Sequence, residues 1–256
     1  MHKIQRTVAV ISNKKVCPQY YRLSLDAGAA ACEARPGQFI HIRVAAGVEP
    51  FFRRPFSVFR AGKTLDILYD VVGKGTEILS SKKRGDQLDI LGPAGTPFAE
   101  PAPDVNQLVM IAGGIGVAPF LLFTDFLKKK KIEKILLYGA RSRDQVLDFK
   151  EFQKNGVAVF VSTEDGSVGT KGRVTRLFDK IQEDPRRTML YACGPKPMLA
   201  AVQDFAKKHY LSGQVSCEEV MACGLGACLG CSIPTRSGYK TVCYDGPVFD
   251  VHELCF

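Results

Sequence analysis

The sequence contains little histidine, and the histidines that it has form no catalytic or metal-binding pattern. His2, His41, His209 and His252 are widely separated in a chain of 256 residues. His41 alternates within an apolar strand-like run, so we expect it to be structural. This scarcity argues against histidine-based nucleophilic catalysis.

A long apolar segment that could enter a membrane is also missing. The longest uncharged run, residues 107–124, contains three glycines and a proline, which favours a strand, a turn and a helix over a membrane span. The first residues show no apolar stretch followed by a cleavage site, so we expect no secretory signal. We therefore expect a cytoplasmic protein with no membrane partner.

The nine cysteines are too few for a disulfide scaffold in a chain of this length. Five of them are scattered and odd in number, which fits a reducing compartment. These five are Cys17, Cys32, Cys193, Cys217 and Cys255.

Basic residues outnumber acidic ones, with a net charge of +9. The basic excess either solvates the surface or attracts anionic dinucleotides. The lysine run at 128–131 lacks interleaved aromatic residues, so we expect no nucleic-acid partner.

The remaining cysteines, Cys223, Cys228, Cys231 and Cys243, define a candidate iron–sulfur site. The first three have the spacing C-x4-C-x2-C, which is typical of plant-type [2Fe–2S] ligation, and the fourth stands alone. Small residues lie between them, and glycines permit the positive-φ turns with which a loop wraps a cluster. A structural zinc site is the alternative, although zinc usually takes its cysteines from two separated short-spaced pairs.

The distribution of apolar residues predicts three regions. Residues 1–100 contain short alternating runs between Gly and Pro turns, which predicts an antiparallel barrel. Residues 101–215 alternate buried strands with helices, which predicts a parallel α/β domain. Residues 216–256 form a small third unit that carries the cysteine motif. The predicted strands are 7–11, 20–25, 39–44, 65–71, 88–91, 108–112, 135–138, 157–161 and 189–192, and the predicted helices lie near 148–153, 174–181 and 197–208.

Two turns in the second region are candidate nucleotide sites. One contains Gly113, Gly114 and Gly116, and the other contains Cys193 and Gly194. The first is not the G-x-G-x-x-G fingerprint, and by itself it fits a plain tight turn equally well. Turns at the carboxyl ends of parallel strands are nevertheless where open α/β sheets bind ligands.

The first region holds a further candidate site at Arg54-Pro55-Phe56-Ser57. An arginine can bind pyrophosphate oxygens with two hydrogen bonds, and a serine can hydrogen-bond a flavin edge. The later segment Gly73-Lys74-Gly75-Thr76 can open a helix whose free N–H groups bind a phosphate. Alone, the first motif is also explained by a surface arginine beside a strand-edge proline.

In order and spacing these motifs resemble the ferredoxin–NADP reductase superfamily over nearly all of residues 1–215. The cysteine motif and the segment 243–249 (CYDGPVF) restrict the resemblance to a smaller family. The whole chain is similar to the family of electron-transfer subunits of two-subunit, NAD-linked dihydroorotate dehydrogenases. The resemblance implies a Greek-key FAD-binding barrel, an NAD-binding α/β domain and a C-terminal [2Fe–2S] unit.

The same resemblance implies a function in pyrimidine biosynthesis. Electrons from dihydroorotate would pass from an FMN-containing catalytic subunit through the [2Fe–2S] cluster and FAD to NAD⁺, in a heterotetramer with two copies of each subunit. The resemblance also implies which residues bind the cofactors, and it assigns no residue as catalytic. The implied set is Arg54, Pro55, Phe56, Ser57, Leu68, Tyr69, Asp70, Gly75, Thr76, Gly113, Gly114, Gly116, Cys193 and Gly194, with Cys193 near the nicotinamide.

Several alternatives stay open at this stage. A flavin and iron–sulfur subunit of a hydrogenase or of an electron-bifurcating transhydrogenase would use the same modules. A zinc-stabilised interaction module would lack flavin. Arg141 and Arg143 could accept a 2′-phosphate, so NADP is an alternative to NAD. Cys217, six residues before Cys223, is expected to be a small apolar residue and not a ligand.

Overall fold

The computed structural model describes residues 5–45, 47, 49–182 and 184–256, so His2 lies outside the described residues. The strands are β1 (Gln5–Lys15), β2 (Tyr20–Asp26), β3 (Phe39–Arg43), β4 (Arg54–Arg60), β5 (Leu65–Asp70), β6 (Gln87–Ala94), β7 (Gln107–Gly113), β8 (Glu133–Ala140), β9 (Val157–Thr163), β10 (Thr170–Lys171), β11 (Thr188–Cys193), β12 (Ser212–Ser216), β13 (Ser232–Thr235), β14 (Gly238–Thr241) and β15 (Val248–Asp250). The α-helices are α1 (Ala29–Glu33), α2 (Lys74–Ser80), α3 (Ala118–Phe126), α4 (Lys150–Lys154) and α5 (Lys196–Lys208). Short 3-10 helices span Gly114–Val117, Arg143–Gln145 and Val174–Lys180. Within the described ranges, no helix combines the length and the apolar character needed to cross a membrane.

The first six strands close into an antiparallel barrel with the order β1-β2-β5-β4-β3-β6. Alternate side chains of each strand fill its interior, because successive residues point to opposite faces. The interior is mostly branched aliphatic, with Leu23, Leu25, Ile40, Ile42, Val58, Leu65 and Ile67. The barrel expected from the alternating pattern is confirmed.

Strands β3 and β4 carry a second set of side chains on the outside of the barrel. Phe39 lies opposite Ser57, and His41 lies opposite Pro55. Directly opposed residues of an antiparallel pair project to the same side. We call Phe39, His41, Pro55 and Ser57 the outer face. Phe39 and His41 are buried although they point away from the barrel interior, so other parts of the chain cover this face.

The second region is a seven-stranded sheet with the order β10-β9-β8-β7-β11-β12-β15. All its pairings are parallel except the one between β12 and β15. Helix α3 packs on one side of β7, against Leu108 and Met110. Helix α5 packs on the other side, with Val109 and Ile111. The expected parallel α/β architecture is confirmed, and the helical segment predicted near 174–181 is a 3-10 helix.

The C-terminal region is built into both of the preceding regions. Its strand β15 extends the large sheet, while β13 and β14 form a separate hairpin. The Gln203 side chain of α5 donates to the carbonyls of Val251 and Leu254. On the barrel side, the N–H of Thr96 donates to the carbonyl of Gly246 at 2.6 Å. The cysteine loop is therefore held between the barrel and the sheet.

Ion pairs join the barrel to the α/β domain. Arg22 pairs with Asp66 at 2.6 Å within the barrel and with Glu151 of α4 at 3.0 Å. Arg60 pairs with the same Glu151 at 2.5 Å and with Asp125 of α3 at 3.3 Å. One carboxylate thus binds two arginines that lie on different barrel strands.

We expect Glu151→Gln to lower the melting temperature by roughly 2–4 °C, because a half-exposed ion pair contributes on the order of 1 kcal/mol in a chain of this size. Thermal unfolding at low salt and at about 1 M NaCl checks this, since salt screening should shrink the difference. Asp204→Asn, at an exposed position of α5, is the matched control. An equal loss in both variants, or a loss that salt does not change, would contradict the assignment.

Candidate functional site

Strand β4 begins with four consecutive half-buried residues. Arg54, Pro55, Phe56 and Ser57 all keep part of their surface, whereas Val58 and Phe59 are buried. The Arg54 guanidinium donates to the carbonyl of Phe52. A Cβ built on Gly75 would lie 3.0 Å from Nε of Arg54. The structure therefore brings the arginine motif and the start of α2 together, with a guanidinium and backbone N–H groups side by side.

Thr76 uses its hydroxyl within the turn that starts α2. Its Oγ1 accepts from the N–H groups of Val72 and Gly73 and donates to the carbonyl of Gly73. The side chain thus stabilises the local backbone. An anion at this turn would therefore bind to backbone N–H groups, because the first N–H groups of a helix have no partner within the helix.

Three consecutive residues of β5 face different surroundings. Leu68 packs on the outside with Phe59 and residues of the α/β domain. The Tyr69 ring lies in the barrel core, where its hydroxyl donates to Asn13 at 3.0 Å. The Asp70 carboxylate accepts two hydrogen bonds from Gln19. A flavin beside this strand would meet the side chains of Leu68 and Asp70, and Tyr69 only through its main chain.

The two glycine turns of the α/β domain lie against each other at the carboxyl ends of neighbouring strands. Residue 193 of β11 is in register with residue 112 of β7. A Cβ on Gly116 would overlap the carbonyl oxygen of Cys193, and one on Gly113 would lie 2.8 Å from the sulfur of Met198. These glycines permit the close approach, and together the turns form one backbone-lined edge of the kind that binds ligands in open α/β sheets.

The same edge borders the barrel. Gly114 has a φ of +55°, and a Cβ there would lie 3.3 Å from the hydroxyl of Tyr20 on β2. Cys193 is fully covered, and this burial raises the pKa of its thiol well above the usual value. Arg141 and Arg143 lie exposed just beyond β8, and the Arg143 guanidinium donates to the carbonyl of Ser167. The turn at Gly114 therefore lies at the border between the α/β domain and the barrel.

Backbone N–H groups point at the cysteine sulfurs of the C-terminal loop. The N–H of Leu225 donates to Sγ of Cys223 at 3.3 Å, and that of Gly226 donates to Sγ of Cys243 at 3.1 Å. The N–H of Cys243 donates to Sγ of Cys231 at 3.4 Å. Such donors stabilise thiolates, which are the form in which cysteine binds iron.

The ligand candidates differ in exposure. Cys231 and Cys243 are buried, Cys223 is half-buried and Cys228 is exposed. Burial opposes ionisation of Cys223, but hydrogen bonds from the Leu225, Cys228 and Ala227 backbone and from the Cys228 thiol outweigh it and lower the pKa to about 6. In the part of the chain that the structure describes, no three His, Cys, Asp or Glu side chains converge on the position of one metal ion.

Cys217 has different surroundings. It is buried in the apolar core shared with the sheet, and its N–H donates to the carbonyl of Pro247. Burial raises the pKa of its thiol to about 12. A thiol in this setting behaves as a small apolar side chain.

Gly224, next to Cys223, connects the loop to the barrel. It has a φ of +65°, and a Cβ there would overlap Nδ1 of His41. The sequence pattern predicts a structural role for His41 and gives no sign of this contact, because the contact joins residues far apart in the chain. Only the alternation in β3 could have indicated it, because this alternation puts His41 on the face of the strand that points away from the interior residues Ile40 and Ile42.

Comparison with known proteins agrees with this arrangement. Residues 218–255 match the iron-sulfur cluster binding domain of dihydroorotate dehydrogenase B, and residues 110–204 match an oxidoreductase NAD-binding domain. The electron transfer subunit of dihydroorotate dehydrogenase B (NAD(+)) from Desulforamulus reducens is 36% identical over 94% of both chains. The subunit of that name from Bacillus cereus is 35% identical over 98% of both.

Solved structures share the fold. A chain of an NADH-dependent reduced ferredoxin–NADP oxidoreductase, studied for flavin-based electron bifurcation, has a TM-score of 0.85 and 28% identity and covers 97% of this chain and 89% of its own. A ferredoxin–NADP⁺ reductase from Neisseria gonorrhoeae, with bound FAD and NADP, has a TM-score of 0.69 and 18% identity over 80% of this chain and 91% of its own.

We expect serine at Cys223, Cys228, Cys231 or Cys243 to abolish binding of iron and acid-labile sulfide, since a hydroxyl is a poor ligand for such clusters. Cys217→Ser, a buried cysteine of the same region, is the matched control and should retain both. Chemical analysis of anaerobically purified protein measures the outcome. Stoichiometric zinc without sulfide in the wild type would show that the loop is a zinc site.

Proposed function

The chain belongs to the family of electron-transfer subunits of dihydroorotate dehydrogenase B (NAD(+)), and we propose that it passes electrons from an FMN-containing, dihydroorotate-oxidising subunit to NAD⁺ through a [2Fe–2S] cluster and FAD. When bound, FAD exchanges a hydride with nicotinamide and single electrons with the cluster. The rest of the proposal concerns what the residues of this chain do.

The observation that carries the proposal is that three candidate sites adjoin one another. The arginine motif on β4 supplies two members of the outer face, Pro55 and Ser57. Toward β5, the turn at Gly114 approaches Tyr20, which pairs with Asp70 of β5. Toward β3, the cysteine loop approaches His41. A group held along β4 would therefore lie between a dinucleotide and a cluster.

Each site supplies groups suited to its cofactor. Arg54 would bind the FAD pyrophosphate beside the backbone N–H groups at Gly75 and Thr76, while Ser57 would hydrogen-bond the flavin. The turns at 113–116 and 193–194 would hold NAD with backbone groups. Cys223, Cys228, Cys231 and Cys243 would ligate the cluster. We assign these roles to an FAD domain (1–100), an NAD domain (101–215) and a cluster domain (216–256).

The surface around the cysteine loop is suited to a protein partner. Leu225 is 47% exposed and Leu229 is 64% exposed, and exposed apolar side chains grouped at one place often mark an interaction site. Residues 216–256 carry two basic and five acidic residues, so a basic rim on the partner would complement them. We propose a heterotetramer with two copies of each subunit. The free cysteines fit a cytoplasmic location.

The isolated chain should oxidise NADH with an artificial acceptor but should not oxidise dihydroorotate. Leu225→Asp should abolish NAD-linked dihydroorotate oxidation by the complex, because a charge would be buried without a partner at the interface. Steady-state assays of both activities, with and without the catalytic subunit, measure the separation.

Tyr210→Asp is the control for this experiment, since Tyr210 is 82% exposed and follows the far end of α5. It should leave both activities unchanged. A parallel loss of both activities in Leu225→Asp, or dihydroorotate turnover by the chain alone, would refute the proposed division of labour.

Arg54→Ala should weaken FAD binding by about ten- to a hundredfold, because a charge-assisted hydrogen bond contributes roughly 1.5–3 kcal/mol. Titration of the deflavinated protein with FAD, followed by flavin fluorescence, gives the dissociation constant. Arg53→Ala is the matched control, because Arg53 pairs with Asp89 instead. Unchanged FAD affinity in Arg54→Ala would locate the flavin elsewhere.

A subunit of an electron-bifurcating oxidoreductase is the second candidate. It is favoured by the TM-score of 0.85 with a chain of that kind. Affinity purification from the native source separates the two candidates through the co-purifying subunit. An FMN-containing subunit that oxidises dihydroorotate supports the first, and a partner that couples NADPH to ferredoxin supports the second.

A further inference from the structure

His41 occupies the boundary between the barrel and the cysteine loop. It is fully buried although its side chain points away from the barrel interior. Its neighbours on β3, Ile40 and Ile42, fill the barrel core. Burying a polar ring on the opposite face requires a second layer of protein, and the C-terminal unit provides that layer.

The contact with Gly224 leaves no room for a Cβ at that position while the imidazole keeps its place. A Cβ on Gly224 would overlap Nδ1 of His41 and would lie 2.9 Å from its Cε1. The φ of +65° independently favours glycine there. The imidazole therefore packs directly on the backbone that follows Cys223, so the position of this ring limits how closely the loop can approach the barrel.

His41 also lies beside β4, the strand that carries the candidate flavin motif. It lies opposite Pro55 in the ladder, and Phe39, two residues earlier on the same face, lies opposite Ser57. The Phe39 ring meets the imidazole edge-on, with centroids 6.3 Å apart and planes at 85°. One side chain thus contacts the strand assigned to FAD and the loop assigned to the cluster.

We propose that His41 is a positioning residue that fixes the cysteine loop relative to β4 and thereby sets the rate of electron transfer between FAD and the cluster. The inference rests on the proposed function, because it requires both cofactors in this chain. A supporting residue that lets a site loosen by about 1 Å can reduce the efficiency of that site strongly. The turns that would hold NADH border Tyr20 of β2 and not β3, so hydride transfer from NADH should not depend on His41.

The test compares His41→Ala and His41→Gln with His209→Ala, a histidine-to-alanine change at the end of α5. Each protein, loaded with FAD and cluster, is mixed anaerobically with NADH in a stopped-flow instrument. Flavin bleaching and cluster bleaching are followed as separate phases. In His41→Ala the flavin phase should be unchanged while the cluster phase slows about tenfold or more. His41→Gln should restore part of the rate, and His209→Ala should match the wild type.

The electron paramagnetic resonance spectrum of the reduced cluster provides a readout that does not depend on turnover. It should change in His41→Ala and remain unchanged in His209→Ala. If His41→Ala fails to hold the cluster, the same kinetic comparison is made with His41→Gln.

A pair of variants tests the contact itself. Gly224→Ala should lower iron and sulfide content, because its methyl group overlaps the imidazole. His41→Ala combined with Gly224→Ala should regain part of that content, since the overlap is removed. No gain in the double variant would show that the contact does not constrain the loop, and the inference would fail.

The outcomes distinguish this inference from the function on which it rests. A wild-type chain without FAD or without sulfide would refute the proposed function and this inference together. A wild-type chain with both cofactors, whose His41 variants reduce the cluster at the wild-type rate and with an unchanged spectrum, would refute only the role of His41.

Discussion

The structure depends on the burial of the outer face of β3 and β4. A barrel strand normally turns one set of side chains to the core and the other to water, yet Phe39 and His41 are covered. The covering layer comes from residues more than a hundred positions later: Gly224 lies against His41, and Phe39 shares its core cluster with Met221 and Phe249. Because this packing is non-local, the barrel, the sheet and the cysteine loop adopt one mutual arrangement and not three independent ones.

Close backbone approach is the second constraint, and glycine provides it at a few positions. At Gly116 and Gly113 the two turns that we propose for the nucleotide lie closer together than any side chain at these positions would allow. The result is an edge composed mainly of backbone groups, which can hydrogen-bond a phosphate without a dedicated basic residue. The basic residues near this edge, Arg141 and Arg143, lie exposed beyond it.

Strongly periodic segments could be predicted from the sequence, and interrupted ones could not. The alternating runs of the barrel and the apolar strands of the sheet were recognised from their residue patterns. Strand β4 was missed because Arg54 and Pro55 break the alternation where a ligand site is expected. Strand β15 was missed because three residues that pair with a distant strand carry almost no local signal.

The candidate site likewise contains features that the sequence predicts and features that it does not. The cysteine spacing predicted which residues share a loop, and the turns at Gly113 and Cys193 were correctly expected at strand ends. Local spacing could not indicate that Tyr69 points into the barrel, or that the Thr76 hydroxyl is used by its own turn. Those outcomes depend on strand register and on backbone hydrogen bonds, which emerge only when the elements pack.

Strand β15 also has a consequence for biosynthesis. It follows Cys243 in the chain and pairs with β12 at the edge of the large sheet. During translation, all four cysteines of the loop are therefore made before the strand that fastens this segment to the sheet. A chain that stopped directly after Cys243 would therefore keep all four cysteines but would lack the strand that fastens this segment to the sheet.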